Sequence, residues 1–360
     1  MTLPHHILVL NIGSTTTKIA VFENDQPKFQ ETIAHGPELA GPLSDYMAQF
    51  PLYLQHVKQI LVDHHIDVGQ LDIIVSQGGL PPPISSGVYL VNQRMCDDLR
   101  SGKYGQHPTN LGPLIANDLA GPAGIRAVIV DSPSTDEFHD LARISGIPEI
   151  ERKSAFHALN QKASARMAAQ DMGISYAKSN MVVAHLGGGI TVGAHCQGKV
   201  IDSTIGVGEG ALTPERAGTL PLLTVLRLLE SGKLSLADLR LKLTSEGGLM
   251  AYLETNDMIQ VEAKIQQGNE KALLLLQAMA YQIAKDIGAM STVLNGNVDA
   301  IVLTGGLANS SMLVDSIAER VSFIGPVKVY PGEQEMLALA AGALRVLIGE
   351  DTIQHYGQLE

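Results

Sequence analysis

Residues 6–22 read HILVLNIGSTTTKIAVF, and residues 181–195 read MVVAHLGGGITVGAH. In each stretch an apolar strand runs into a turn of Gly, Ser or Thr and straight out into a second strand. Such a turn leaves backbone N–H groups and hydroxyls pointing outward, free to bond phosphate oxygens, where bulky side chains would block the approach. Ordinary hairpins use the same residues for their backbone angles, so one turn alone decides nothing. Two in one chain favour a nucleotide gripped by two halves.

Outward from the first turn, strands are predicted at Ile7 to Ile12, Thr17 to Phe22 and Phe29 to Ile33, with turns at Gly13 to Thr15 and Asn24 to Pro27. Helix-period residues follow from Leu39 to His64, then a strand at Asp72 to Ser76, a helix around Asn92 to Leu99 and a buried strand at Ala127 to Asp131. The second half repeats the order. A helix near Phe156 to Asp171 precedes strands at Met181 to His185, Thr191 to His195 and Val200 to Ser203, then helices, then a strand at Ala300 to Thr304. A duplicated α/β unit of this kind places its ligand in the cleft between copies, with a hinge for closure.

The 360 residues suffice for two domains with substantial cores. Hydrophobic residues are 45%, charged ones 17% and aromatics 4%, without tryptophan, the profile of an Ala/Leu/Val-rich soluble α/β protein. A net charge of −12 argues against nucleic acid or an anionic membrane as partner, so any local positive site serves something small. Cys96 and Cys196 stand apart without metal-ligand spacing, which fits structural thiols in a reducing cytoplasm. No signal peptide is expected before the first strand. The Ala-rich run Leu273 to Met290 is interrupted by Gln277, Gln282, Lys285 and Asp286 and reads as a buried or amphipathic helix, not a membrane span.

A third turn, Thr304-Gly-Gly-Leu-Ala308, follows a long apolar strand and precedes a helix starting near Ser310. It is either a plain strand-to-helix connection or a backbone platform for an adenosine. None of the three turns is a Walker A loop, since GSTTTK from Gly13 lacks the spacing. Gly187 to Gly189 is not a dinucleotide fingerprint either, because a strand and not a helix follows.

Taken together, Asn11-IGSTTTK, Phe156-HALNQK, Ala184-HLGGGI, Thr213-PERAG, Leu303-TGGLA and Tyr330-PGE resemble the butyrate kinases, in order and over nearly the whole chain. These belong with the acetate kinases among the acyl kinases of the actin-like ATPase superfamily. The resemblance implies a duplicated actin-like ATPase (ribonuclease H-like) α/β fold of two domains with the active site in the interdomain cleft. The expected domains are 1–152, joined by the C-terminal helix at about 334–360, and 153–333. It also implies reversible in-line phosphoryl transfer from MgATP to a short-chain carboxylate, butyrate or a branched relative such as isobutyrate, giving ADP and an acyl phosphate. A homo-oligomer, dimer or higher, is expected. The chemistry is coherent: such an acid, like a Glu side chain with a pKa near 4.3, is already ionised at pH 7 and needs no general base. What the site needs is positive charge, since nucleophile and γ-phosphate are both anions.

By the same resemblance, Arg216 is the catalytic arginine, suited to a phosphoryl group by its fork, and His157 contacts the transferring phosphoryl. Asp131, at the end of a buried strand, stands beside Mg²⁺. Asn11 lies near the terminal phosphate. Gly13, Ser14 and Thr15, with His185, Gly187, Gly188 and Gly189, hold phosphates, and Gly305, Gly306 and Leu307 hold the adenosine. Glu335 is a second carboxylate for the metal, with Glu333 as a rival. Without the family, Arg216 reads as a solvated loop residue, His157 as a helix-start residue and Asp131 as a cap.

Two departures stand out: Ile12, where the family reads Pro between Asn and Gly, and Gln77-Gly-Gly, where it reads Arg-Gly-Gly. A neutral amide in place of a cation removes a few kcal/mol of electrostatic stabilisation or marks a different acid. Arg94 is a candidate replacement. Acetate or propionate as substrate, and a nucleotide-binding protein without turnover, are the alternatives. Asp63-His64-His65 superficially suggests a metal site but sits at a helix end and reads as a polar turn. Leu80-PPPISSG reads as a surface loop, though in the family this stretch borders the acyl pocket.

Overall fold

A computed structural model of the chain describes residues 4–13, 16–35 and 43–357. Its strands in chain order are β1 (His6–Ile12), β2 (Thr16–Glu23), β3 (Gln26–Ala34), β4 (Ile73–Gln77), β5 (Val88–Leu90), β6 (Arg126–Val130), β7 (Asn180–Leu186), β8 (Ile190–Cys196), β9 (Lys199–Ser203), β10 (Ala300–Gly305), β11 (Val327–Pro331) and β12 (Ile353–His355). The chain packs as two units, one of Met1–Asp136 with Gln334–Glu360, the other of Glu137–Glu333.

The first unit carries a mixed sheet in the order β12-β5-β6-β4-β1-β2-β3. β1, β4 and β6 run parallel side by side at its centre, and β1, β2 and β3 form the antiparallel meander. The central strands are apolar without alternation because both faces are covered. Leu8, Leu10, Ile74 and Ile129 face a core with the helices Phe50–Asp63, Gln93–Ser101 and Leu111–Ala123. The opposite face is closed by the C-terminal helix Glu335–Leu347, where Gly342 lies so near Val130 that a Cβ would come within 2.6 Å of its side chain. The departure Ile12 is the last residue of β1 and stands opposite Thr17 of β2.

The second unit has the sheet order β11-β10-β7-β8-β9, with β11, β10 and β7 parallel and β7-β8-β9 antiparallel. Alternation here sorts side chains to two cores: Met181 and Val183 pack on alanines of the helix Ala158–Asp171, while Val182, Ala184 and Leu186 pack toward the helices Glu270–Val293 and Ser311–Val321. Among the described residues no helix is long and apolar enough to cross a membrane.

Several expectations need correction. The unit boundary falls at Asp136/Glu137, earlier than 152/153, because the connecting segment is pinned to the second sheet. His139 donates to the Ile201 carbonyl, Glu137 accepts from the Val200 amide, and Arg152 binds both Asp202 and Glu209. The helix expected from Leu39 begins as a 3-10 turn at Leu43 and turns α-helical only at Phe50; residues 39–42 lie outside the described residues. The helix Leu111–Ala123 escapes prediction because Gly112, Pro113, Gly121 and Pro122 read as breakers, although these prolines occupy its first and last turns. Leu80-PPPISSG is not wholly a surface loop: Pro81 and Ile84 are buried, and Ile84 bridges Thr135.

Lys162 and Glu137 form an ion pair at 2.8 Å with both side chains buried, and Lys162 also donates to the Gly198 carbonyl. Removing one partner leaves an uncompensated charge in the interior. Lys162→Met is therefore expected to cost about 3–5 kcal/mol of stability, read as a lower urea midpoint. The double variant Lys162→Met/Glu137→Gln, which keeps an acceptor for the Val200 amide, is expected to recover most of it.

Candidate active site

In the first unit the parallel strands align their carboxyl ends. Leu10, Ser76 and Ile129 share one row, so Asn11, Gln77 and Val130 occupy the next and Asp131 follows directly. Strand spacing puts β1 and β6 about 10 Å apart with β4 between them. Asn11 is buried and its Nδ2 donates to Glu335 Oε2 at 2.6 Å, so the start of the last helix is tied to this edge. Glu335 and not Glu333 reaches Asn11; Glu333 is exposed. Asp131 is buried at φ 41°, a left-handed conformation seldom adopted without glycine, and its Oδ1 accepts from the Gly87 amide at 2.9 Å. Asn11, Asp131 and Glu335 thus present oxygen donors on one edge, the hard set that suits Mg²⁺, which takes one or two carboxylates and keeps most of its waters. Gly13 donates to the Thr16 carbonyl at 2.9 Å to close its turn; Ser14 and Thr15 lie outside the described residues.

Gln77 sits on that same edge, accepting a long 3.5 Å contact from Thr109 Oγ1. Arg94 is exposed on the helix Gln93–Ser101 and donates to the Gly357 carbonyl. Asp63, His64 and His65 form the polar helix end expected of them: His64 bonds Glu31 and packs against Phe29 with the rings tilted by 39°, and Asp63 accepts from Gln59.

In the second unit the turn Gly187–Gly189 closes β7 on β8, with the Gly187 amide donating to the Gly189 carbonyl. Arg216 lies against it: a Cβ at Gly189 would stand 2.5 Å from Arg216 Nη1, so any larger residue there would displace the guanidinium. Thr213 fixes the approach, donating to the Gly188 carbonyl at 2.6 Å while accepting from the amides of Glu215 and Arg216. Arg216 Nη1 donates to the Gly206 carbonyl at 2.7 Å, and Nε is buried with no hydrogen-bond partner among the described residues. A charged donor placed beside a glycine turn can serve the oxygens of an anionic ligand. The Gly305–Leu307 turn adjoins the same place. Gly305 has φ 90°, and a Cβ there would come within 2.4 Å of the Leu186 carbonyl; Gly306 is exposed with open space before it.

His157 directly precedes the helix Ala158–Asp171 and stacks on His185, ring centroids 3.8 Å apart. Both rings are neutral. Burial, then the nearby Arg216 charge, pushes His157 down to about 4, and burial holds His185 well below the usual histidine range. His157 is therefore a polar group, not the second cation that its residue type suggests. Residues the sequence reading did not single out complete the site: Thr191 bonds His157 Nδ1 at 2.8 Å, Gln161 bonds Thr191, and Asn160 bonds His185. Gln161 and Asn160 lie inside the quoted HALNQK motif, which was the one available signal.

A model of the acetokinase family matches residues 147–348. Among solved structures, this chain is similar to the acetate kinase of Porphyromonas gingivalis, at 19% identity and a TM-score of 0.75, over 94% of this chain and 99% of that one. It is similar to a propionate kinase from Francisella tularensis subsp. tularensis SCHU S4, at 19% identity and a TM-score of 0.74, over 94% and 98%. A ROK family protein from Streptococcus pneumoniae TIGR4 aligns at 13% identity with a TM-score of 0.51, over 96% and 99%. The mixed α/β two-sheet fold is thus shared with these acetate kinase, propionate kinase and ROK family structures.

The buried histidines give a pH dependence with a definite sign. His157, His185, His195 and His107 are all held below the ordinary value near 6.5, mainly by burial, while in the unfolded chain they take up protons there. From pH 6.5 down toward 4 the unfolded state binds more protons, so stability falls as pH falls. Asp286, pushed up to about 6 by burial, works in the opposite direction as one group against four. Denaturant unfolding at pH 7.5 and pH 5.0 is expected to show lower stability at pH 5.0; equal or greater stability there contradicts the neutral histidine cluster.

Proposed function

This chain belongs to the acetokinase family, and from that premise we propose that it phosphorylates a short-chain carboxylate, butyrate or a branched relative such as isobutyrate, with ATP as donor. The supporting observation is Arg216, held against the Gly187–Gly189 turn with one donor unsatisfied among the described residues and a neutral His157 beside it. That arrangement suits an anion that needs charge stabilisation and no general base.

In this reading the ionised carboxylate oxygen attacks the γ-phosphorus in line, a C–O–P linkage forms, the bond to the bridging β-oxygen breaks, and ADP carries the released electron pair away. Arg216 stabilises charge on the equatorial oxygens, and His157 donates a hydrogen bond to the same group. Backbone amides at Gly187–Gly189 take nucleotide phosphates, and Gly305, Gly306 and Leu307 take the adenosine; within the first unit, Asn11 and Gly13 are the candidates for phosphate contact. Asp131 and Glu335 would hold Mg²⁺, which supplies charge neutralisation on the phosphates when bound. The buried Pro81 and Ile84 border the acyl chain. A cytoplasmic homo-oligomer, dimer or higher, is part of the same reading. Acetate or propionate is the second reading, suggested by the names of the similar solved structures.

Hydroxylamine trapping of acyl phosphate across acetate, propionate, butyrate, isobutyrate and valerate is expected to give the highest kcat/KM with a four-carbon acid. A maximum at acetate or propionate would transfer the assignment to that acid. Nucleotide binding without turnover of any of the five would end the kinase reading. Arg216→Ala is expected to lower kcat about 10²-fold or more with ATP binding retained; near-normal turnover would remove Arg216 from the mechanism. Gln77→Arg is expected to raise kcat/KM, and an unchanged or lower value argues against a charge deficit on that strand edge.

A further inference from the structure

We propose that Thr191 and Gln161 are positioning residues that hold His157 protonated on Nε2, so that its ring offers an N–H and not a lone pair to an anionic ligand. The proposal rests on the reading of His157 as a group of the phosphoryl site.

The direction of each hydrogen bond follows from one fixed acceptor. The Gln161 amide lies 3.1 Å from the Thr191 backbone carbonyl, which can only accept, so its nitrogen and not its oxygen faces Thr191. That nitrogen also donates to Thr191 Oγ1 at 2.8 Å. Gln161 Oε1 consequently points the other way, 3.1 Å from His195 Nε2, and must accept from it. His195 is buried and neutral, so its Nδ1 is left as an acceptor and takes the Tyr176 hydroxyl proton at 2.9 Å. Both ends of the amide are thus committed, and it cannot flip without opposing two acceptors at the carbonyl.

Thr191 Oγ1 accepts from Gln161 and has one proton to place. It is buried, and among the described residues its remaining hydrogen-bond neighbour is His157 Nδ1 at 2.8 Å. Were His157 protonated on Nδ1, the threonine hydroxyl would receive two hydrogen bonds and leave its own proton buried without an acceptor, an arrangement proteins avoid. Thr191 therefore donates to Nδ1. A neutral imidazole with an occupied Nδ1 lone pair carries its proton on Nε2.

Long-range ¹H–¹⁵N correlations of the imidazole rings in the full ¹⁵N-labelled chain at pH 7.5, with the His157 signal assigned by its loss in His157→Gln, read the tautomer directly. The Nε2–H pattern is expected for the native chain and for Thr191→Ser, which keeps the donor. Thr191→Val and Gln161→Met are expected to give a mixture or the Nδ1–H pattern. In turnover assays Thr191→Val is expected to lower kcat about tenfold with the KM for ATP changed less than twofold, and Thr191→Ser to restore kcat. An Nδ1–H or doubly protonated ring in the native chain, or an unchanged Nε2–H pattern in both disrupting variants, overturns the proposal. A native chain with the expected tautomer but no turnover of any carboxylate would sink the kinase reading while leaving the tautomer assignment standing.

Discussion

The guanidinium of Arg216 fills the space that a side chain at Gly189 would occupy, and the second unit's candidate site depends on that contact. It accounts for the glycine at 189, while the neighbouring Gly188 lies against the Glu215 carboxylate and Gly187 against the His185 ring. It also explains the work of Thr213, whose hydroxyl ties the arginine's own backbone to the turn. Without the close approach, Arg216 would be a loop arginine like any other, its charge screened by water.

Placing one permanent cation in a partly buried site constrains what surrounds it. Burial denies the neighbouring imidazoles the hydration that a charged ring needs, and for His157 the nearby Arg216 charge adds to that effect, so both rings stay neutral and act through hydrogen bonds. Charge is thereby assigned to Arg216 and direction to the histidines. Direction needs a support, and the chain through Thr191, Gln161, His195 and Tyr176 supplies it from the protein interior. The first unit follows a similar logic with opposite sign: a buried aspartate in a left-handed conformation and a glutamate tied to Asn11 gather oxygen donors at the ends of parallel strands.

Much of this was legible in the chain. The uninterrupted apolar runs at 7–10, 181–184 and 300–303 read as strands, and the glycine turns stand where strand periodicity stops. The residues marked by motif, His157, His185, Gly187–Gly189, Arg216 and Gly305, come together in one unit, and Asn11, Asp131 and Glu335 come together on one edge of the other. Less visible were elements whose signals are weak or contradictory. The three-residue strands β5 and β12 are too short to show a period, and the helix Leu111–Ala123 is hidden by its glycines and prolines. Ile84 looked like loop because three prolines precede it, yet it is core.

Sequence by itself determined the element order, the repeated strand–turn–strand units and the residue types available for an anion, because local propensity and periodicity are properties of neighbours along the chain. Tertiary structure alone decided the protonation and orientation of those residues. Burial sets whether a histidine carries charge, and partners brought from distant segments, Thr191 for His157 and Glu335 for Asn11, set which way a hydrogen bond runs. Neither quantity is encoded in any contiguous stretch, since both arise from the distance between groups that only folding brings into contact.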